Sequence, residues 1–296
     1  MEYISAKHIL HRSRSTEWFG TDHTMNLYRG CCHGCIYCDS RSECYHIPDF
    51  DRVCAKEDAL RLLRDDLARK IRPAFINLGS MSDAYNPFEK ELCLTRHALE
   101  LIEAYQCGAA VATKSGLIVR DADVLCSIQR GAPVVCMVTV TTADDALAAQ
   151  VEPCAPPPSR RLEALAALSA RGLFTGVLLM PVLPFLEDGE EKICAVVDRA
   201  AQAGARFVYA GFGVTLRGNQ RAYFYDRLEE RFPGAGLAER YAKRYGDRYW
   251  CAVPRARALW EAFSRRCRER GLLYEMKSIV RAVTAPYGDR QLTFFP

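Results

Sequence analysis

Five short apolar stretches of strand composition, AFINLGS (74–80), GAAVATKS (108–115), PVVCMVTVTT (133–142), LFTGVLLMPVLP (173–184) and ARFVYAGFG (205–213), constrain this chain most. Between them lie stretches of helical period: ELCLTRHALELIEAY (91–105), DADVLCSIQR (121–130), SRRLEALAALSARG (159–172) and EEKICAVVDRAAQAG (190–204). KEDALRLLRDDLARKI (56–71) has the same period, and Gly172 and Gly204 stand where helices end. Near-continuous apolar strands alternating with helices build parallel βαβ units, because strands covered on both faces need no polar side. With one more strand expected around residues 25–28, six β/α units result. Six is fewer than the eight of a closed barrel. The pattern fits a partial barrel or an open doubly wound sheet, and in both the chemistry sits at the C-terminal strand ends.

Into that frame the segment YRGCCHGCIYC (28–38) puts four cysteines in eight positions. The chain has 14 cysteines in 296 residues, and most of the others fall in apolar segments as small buried hydrophobes. No N-terminal apolar run marks an export signal and no run approaches the ~20 residues of a membrane span, so the expectation is a cytoplasmic protein without disulfides. Cys31, Cys35 and Cys38 form C-x3-C-x2-C. Three thiolates on one tight loop can take three corners of a [4Fe–4S] cubane and leave the fourth iron open. Two other readings stand beside it. Zinc could be held by the three cysteines with His33 or Cys32, although no second cysteine pair exists to complete the usual knuckles. Cys35 and Cys38 could form a redox C-x-x-C couple.

C-x3-C-x2-C with an aromatic residue, Tyr37, before the last cysteine resembles the signature of the radical S-adenosylmethionine (SAM) enzymes. NLYRGCCHGCIYCDSRS, GSMSDAYNPFEKELCLTR, ATKSGLIVRD, TTADD with EPCAPPPSRRLEAL, and MPVLP follow in order from about residue 26 to 185. Together they resemble the spore photoproduct lyase-like branch, also called DNA repair photolyase-like. The resemblance implies an α/β fold, a partial (β/α)6 TIM-like barrel over residues 21–215. An N-terminal extension (1–20) precedes it, and a mainly helical, basic and aromatic-rich extension (216–296) follows. It implies a [4Fe–4S] cluster on Cys31, Cys35 and Cys38, SAM chelated to the open iron, and an external one-electron reductant such as flavodoxin or ferredoxin. One electron then cleaves the sulfonium to a 5′-deoxyadenosyl radical that takes hydrogen from a substrate.

The cofactor-binding residues it implies are Tyr37, Ser80, Ser82, Asp83, Lys114 and Arg161. Lys114 suits a carboxylate as a point charge at a strand end; Ser82 and Asp83 would take ribose hydroxyls or the ammonium, or form an ordinary turn. Arg161 would reach from the helix after the fourth strand, or lie on that helix's surface. Glu89 and Arg96 would pair or cap a helix. Two departures stand out. The lyase carries a hydrogen-donating cysteine two residues before its Ser-Asp pair, where this chain has Ser80, and a tyrosine after the last cluster cysteine, where this chain has Asp39. A serine O–H bond is too strong to quench a carbon radical. Tyr85, Cys93, Tyr209 and Tyr223 are the remaining candidates for a catalytic redox group.

From Arg217 onward 15 Arg and 2 Lys stand against 9 acids, within a chain of net charge +4. RGNQRAYFYDRLEERF (217–232) and ERYAKRYGDRYW (239–250) interleave arginine with tyrosine. That composition suits phosphates on arginine and bases on rings, or an amphipathic helix with buried rings. Trp250 and Trp260 are expected in the core. The leading expectation is a radical SAM enzyme acting on nucleic acid or a nucleotide-like substrate. The rivals are the same chemistry on a peptide or small metabolite, and a zinc-stabilised nucleic-acid-binding module.

Overall fold

The structure, a computed structural model, describes residues 1–288. The strand-like tail RQLTFFP lies outside the described residues. The N-terminal segment forms β1 (Glu2–Ile4) and β2 (Leu10–Arg12), then β3 (His23–Met25) and β4 (Tyr28–Arg29) lead into the cysteine segment. After it come β5 (Cys54–Lys56), α1 (Ala59–Ala68), β6 (Phe75–Leu78), α2 (Glu89–Leu92), α3 (Leu94–Ala104), β7 (Gly108–Thr113), α4 (Ala122–Gln129) and β8 (Val134–Thr139). The array continues with α5 (Asp145–Val151), α6 (Pro158–Ser169), β9 (Thr175–Leu179), α7 (Glu190–Gln202) and β10 (Phe207–Ala210). The last part holds β11 (Gly213–Thr215), α8 (Gly218–Arg231), α9 (Leu237–Tyr245), β12 (Trp250–Ala252), α10 (Ala256–Glu269) and α11 (Met276–Thr284).

The central sheet runs β10-β9-β8-β7-β6-β3-β2, parallel except for β2, which pairs antiparallel with β3. Strand order follows chain order without a reversal, so the sheet has no switch point and is not doubly wound. Six parallel strands in sequence, with α1, α3, α4, α6 and α7 along the connections, give the partial (β/α)6 barrel. The first barrel strand is β3, earlier than the expected 25–28. Tyr28 and Arg29 belong instead to a small sheet with β5 and β1.

Alternation along the strands divides two faces. Ile76, Leu78, Val111, Cys136 and Val134 pack outward under α3 and α4, and Val138, Val177 and Val208 under α6, α7 and α10. Phe75, Ala110, Val135, Met137, Leu178 and Phe207 face inward, where Phe19 and the Ile279 and Val283 side chains of α11 meet them. A Cβ built on Gly176 would lie 2.3 Å from the Phe207 ring, so glycine makes room for that ring.

Some expectations need correction. The helix expected over 91–105 is interrupted at Cys93, whose φ is +51°. The break turns the buried Glu89 carboxylate onto the Thr95 amide at 2.8 Å, capping α3. Arg96 pairs with Asp123 rather than with Glu89. Helix α5 is an addition to the sequence pattern, although Asp144 caps it through the Ala146 and Leu147 amides. Trp250 and Trp260 are 49% and 39% exposed, not core. Among the described residues no helix is long and apolar enough to cross a membrane.

Replacing Gly176 by Ala should destabilise the protein by about 1–3 kcal/mol in urea unfolding, the cost of overpacking a tight core. Adding Phe207→Leu should recover part of that loss; full additivity of the two substitutions would mean the ring does not need the space.

Candidate active site

The cysteine loop leaves β4 through Gly30, whose φ is +79° and where a Cβ would meet the Arg52 carbonyl oxygen at 2.2 Å. Only glycine fits there. Backbone bonds pin the loop on both sides: Cys31 N–H donates to Phe50 O at 2.8 Å, Ile36 N–H to Val151 O at 3.0 Å, and Cys154 N–H to His33 O at 3.1 Å. Cys31, Cys35 and Cys38 thereby line one cavity of about 140 Å³ at the C-terminal rim of β6, β7 and β8, shared with His33, Ser80 and Lys114.

Asp83 holds the loop to the barrel. Its carboxylate takes the Thr113 hydroxyl (2.6 Å) and Tyr85 amide (2.9 Å) on one oxygen, and His33 Nε2 and the Lys114 amide (both 2.8 Å) on the other. Burial alone would raise this carboxyl; the His33 bond and the donors around it prevail and bring it down to about 2. The Ser82 hydroxyl donates to Gly30 O at 2.6 Å. Ser82 and Asp83 thus tie the loop to the barrel while also lining the cavity.

Behind the cavity a second buried carboxylate, Glu152, meets Arg161 Nη2 at 2.5 Å and Lys114 Nζ at 3.7 Å, and accepts from the Tyr37 hydroxyl. Burial opposes its charge, but Lys114 and Arg161 keep its pKa below the usual carboxylate range. Arg161 is fully buried and also donates to Pro156 O (2.6 Å) and Thr139 O (3.0 Å). It neither lies on the helix surface nor lines the cavity; it braces the wall. Lys114 does line the cavity. Burial works against its charge, while Cys35 and Glu152 hold it above the ordinary lysine range. Tyr37 contributes its ring beneath Lys114, with Nζ 5.8 Å from the ring centroid.

Burial pushes the Cys31 thiol up to about 12 and raises Cys35 and Cys38 as well. Burial by itself therefore disfavours the charged thiolates. They do suit a ligand set for iron, whose charge replaces the protons. His33 Nδ1 is buried in the same cavity without a hydrogen-bond partner. An orphaned polar atom beside three thiols fits a bound polar group, so the residues present fit a cluster with a chelated ligand. Among the described residues no three His, Cys, Asp or Glu side chains group tightly enough to hold a single metal ion.

Most rings of α8 and α9 are turned toward the cysteine loop, while Tyr249 and Trp250 after α9 stay exposed. Phe224, Leu228, Tyr241 and Tyr245 pack with Cys35, Ile36 and Tyr37 in one core. Gln220 donates to Tyr37 O at 3.1 Å, Arg217 pairs with Asp39, and Asn219 accepts from the Glu43 amide at 2.8 Å. The extension clamps the cysteine loop. Of the four redox candidates, Tyr85 is buried in the core on the helix side, Cys93 sits beside Arg120 at the helix break, and Tyr223 stacks on Arg41. Tyr209 alone of the four packs at the barrel interior. Ser80 is exposed at the cavity rim, its hydroxyl 3.3 Å from that of Thr24.

Sequence reasoning misses Glu152, although it lies in EPCAPPPSRRLEAL, and the clamp by Gln220. It also misses Glu187, a buried acid after β9 that accepts from the Leu183 amide at 2.8 Å. Burial, with the nearby Glu152 charge adding, raises its carboxyl to about 8.

An uncharacterized protein of Mycobacterium tuberculosis is 32% identical over 230 residues, which span 75% of this chain and 67% of the relative. This chain belongs to that protein's family. An uncharacterized protein of Methanocaldococcus jannaschii is 32% identical over 177 residues, 58% of this chain and 64% of the relative. No family model matches the chain. Among solved structures, spore photoproduct lyase complexed with dinucleoside spore photoproduct superposes with a TM-score of 0.67 at 14% identity, covering 92% of this chain and 81% of the lyase. A substituted form of the lyase with bound AdoMet and the same dinucleoside gives 0.65 at 15% identity over the same shares. At that identity the likeness is one of fold: this chain shares the partial barrel of the lyase.

Glu152→Gln should cost about 3–5 kcal/mol at neutral pH, because it leaves Arg161 and Lys114 buried without their counter-charge. The Glu152 carboxyl titrates lower in the folded state than in the unfolded one. Its contribution is therefore present above the unfolded value near ~4.3 and fades as pH falls; urea unfolding at pH 7 and 4 should show the penalty shrinking. Glu187 has the opposite sign. Its folded pKa near 8 lies above the unfolded one, so ionisation weakens the fold as pH rises between them. Glu187→Gln should raise the melting temperature relative to wild type more at pH 9 than at pH 6, and an equal difference at both would contradict the buried acid.

Proposed function

We propose that this protein is a radical SAM enzyme acting on nucleic acid or a nucleotide-like substrate. The observation that carries it is the meeting of Cys31, Cys35 and Cys38 with Lys114 and the unpartnered His33 Nδ1 in one cavity at the C-terminal rim of six parallel strands. The three cysteines would hold a [4Fe–4S] cluster, and the Lys114 ammonium would attract the carboxylate of SAM. Bound together, these cofactors supply one-electron cleavage of a sulfonium and a carbon radical that takes hydrogen from the substrate.

The chain's own part is positioning and exclusion of water. Asp83 and Ser82 fix the loop against β7 and the Gly30 turn, and Glu152 orders Tyr37, Lys114 and Arg161. The α8–α9 lobe closes over Cys35 and Tyr37 from the other side, shielding the cysteines. The lyase structures bind a dinucleoside, which supports a nucleotide-like substrate for the shared fold. The sequence resemblance aligns Ser80, which lines the cavity, with the lyase's donor cysteine, and on this reading the protein does not repair spore photoproduct by that donor route. A cytoplasmic setting and a one-electron reductant such as flavodoxin or ferredoxin belong to the same reading.

Anaerobically reconstituted protein should carry about four irons and four sulfides per chain. With dithionite and SAM it should release 5′-deoxyadenosine, and the Cys31/Cys35/Cys38→Ala triple variant should release none. It should leave a spore photoproduct dinucleotide unrepaired. Zinc-loaded, colourless protein that leaves SAM intact would overturn the proposal.

A further inference from the structure

A second cavity, of about 890 Å³, lies away from the cysteines between the N-terminal segment and α11. Glu17, Trp18, Tyr209, Met276, Lys277 and Arg281 line it. Trp18 and Tyr209 are half-buried and meet edge to face, with centroids 5.8 Å apart, so ring surface remains open to the cavity. Lys277 and Arg281 stand one turn apart on α11, both exposed. Neither has an acidic partner among the described residues. Arginines of α10 and the residue after it do: Arg265 pairs with Glu190, while Arg266 and the following Arg270 share Asp198. Two unpaired cations beside open aromatic surface match a flat ring carrying a phosphate. The Glu17 carboxylate on the same wall is an acceptor suited to a base N–H.

The place of this cavity in the fold links it to the cysteines. Tyr209 on β10 pairs with Leu178 on β9, and Leu178 pairs with Thr139 on β8. Thr139 lines the cysteine cavity. Two strand spacings separate Thr139 from Tyr209, about 10 Å along the sheet. A ligand lying over Tyr209 therefore sits on the same rim as Lys114 and the three cysteines.

We infer that the cavity between the N-terminal segment and α11 is a nucleotide-binding site, with a base on Trp18 and Tyr209 and its phosphate on Lys277 and Arg281. Its role as the substrate site rests on the proposed radical chemistry; the binding itself does not.

The test is calorimetric titration of the reconstituted protein with the dinucleotide TpT and with its uncharged methylphosphonate analogue. TpT should bind saturably, and Lys277→Gln/Arg281→Gln should weaken it about tenfold and flatten its salt dependence. The analogue should bind wild type and the double variant alike, while Trp18→Phe should weaken both ligands. These exposed cations touch no core, so the double variant should melt at the wild-type temperature. Absence of saturable TpT binding to wild type, or equal affinity of the double variant, would overturn the inference. TpT binding to protein that takes up no iron or sulfide on anaerobic reconstitution would support the site while overturning the radical enzyme.

Discussion

Glu152 is a carboxylate with almost no contact with water, and three parts of the molecule converge on it. Arg161 brings α6 and the end of β8, Lys114 brings the end of β7, and the Tyr37 hydroxyl brings the cysteine loop. A buried charge of this kind is held in place by its partners, because removing any of them strands the rest in low dielectric. The wall of the cysteine cavity is thereby built as one unit. Lys114 keeps its proton, and so its positive charge, because the Glu152 carboxylate beside it counters its burial.

Asp83 does the same on the opposite side, with four donors on two oxygens. The two carboxylates grip the loop at His33 and at Tyr37, either side of Cys35. The α8–α9 lobe then closes the third side through Gln220, Arg217 and the aromatic core around Tyr241. A loop held at so many points can present three thiols in a fixed arrangement without disulfides. Pre-arranged ligands lose little conformational entropy when a cofactor binds.

The alternation of apolar and amphipathic segments is enough to place the barrel strands β6 to β10 and most of their helices, since periodicity reports burial directly. It places the first barrel strand too late, because Tyr28 is as apolar as a barrel residue yet pairs with β5. The roles of Ser82, Asp83 and Arg161 escape it for a different reason. Each is a polar residue at a strand end or on a helix, and nothing local distinguishes a ligand contact from a structural tie. Their partners lie 52 residues away for Ser82, 50 for Asp83 to His33, and 22 for Arg161 to Thr139. The interleaved tyrosines and arginines of α8 and α9 are ambiguous for the same reason: only the packing shows that Phe224, Tyr241 and Tyr245 face inward while Tyr223 lies against Arg41.

The sequence by itself determined the cysteine spacing, the glycine at the Gly30 turn and the order of strands and helices, because these follow from covalent spacing and short-range periodicity. Tertiary structure decided which buried acid meets which base and which aromatic rings close over the loop. It also decided which cations, among the described residues, remain without an acidic partner beside the second cavity. Those choices depend on side chains brought together from distant parts of the chain, and only the closed packing of the barrel against its extensions brings them within reach.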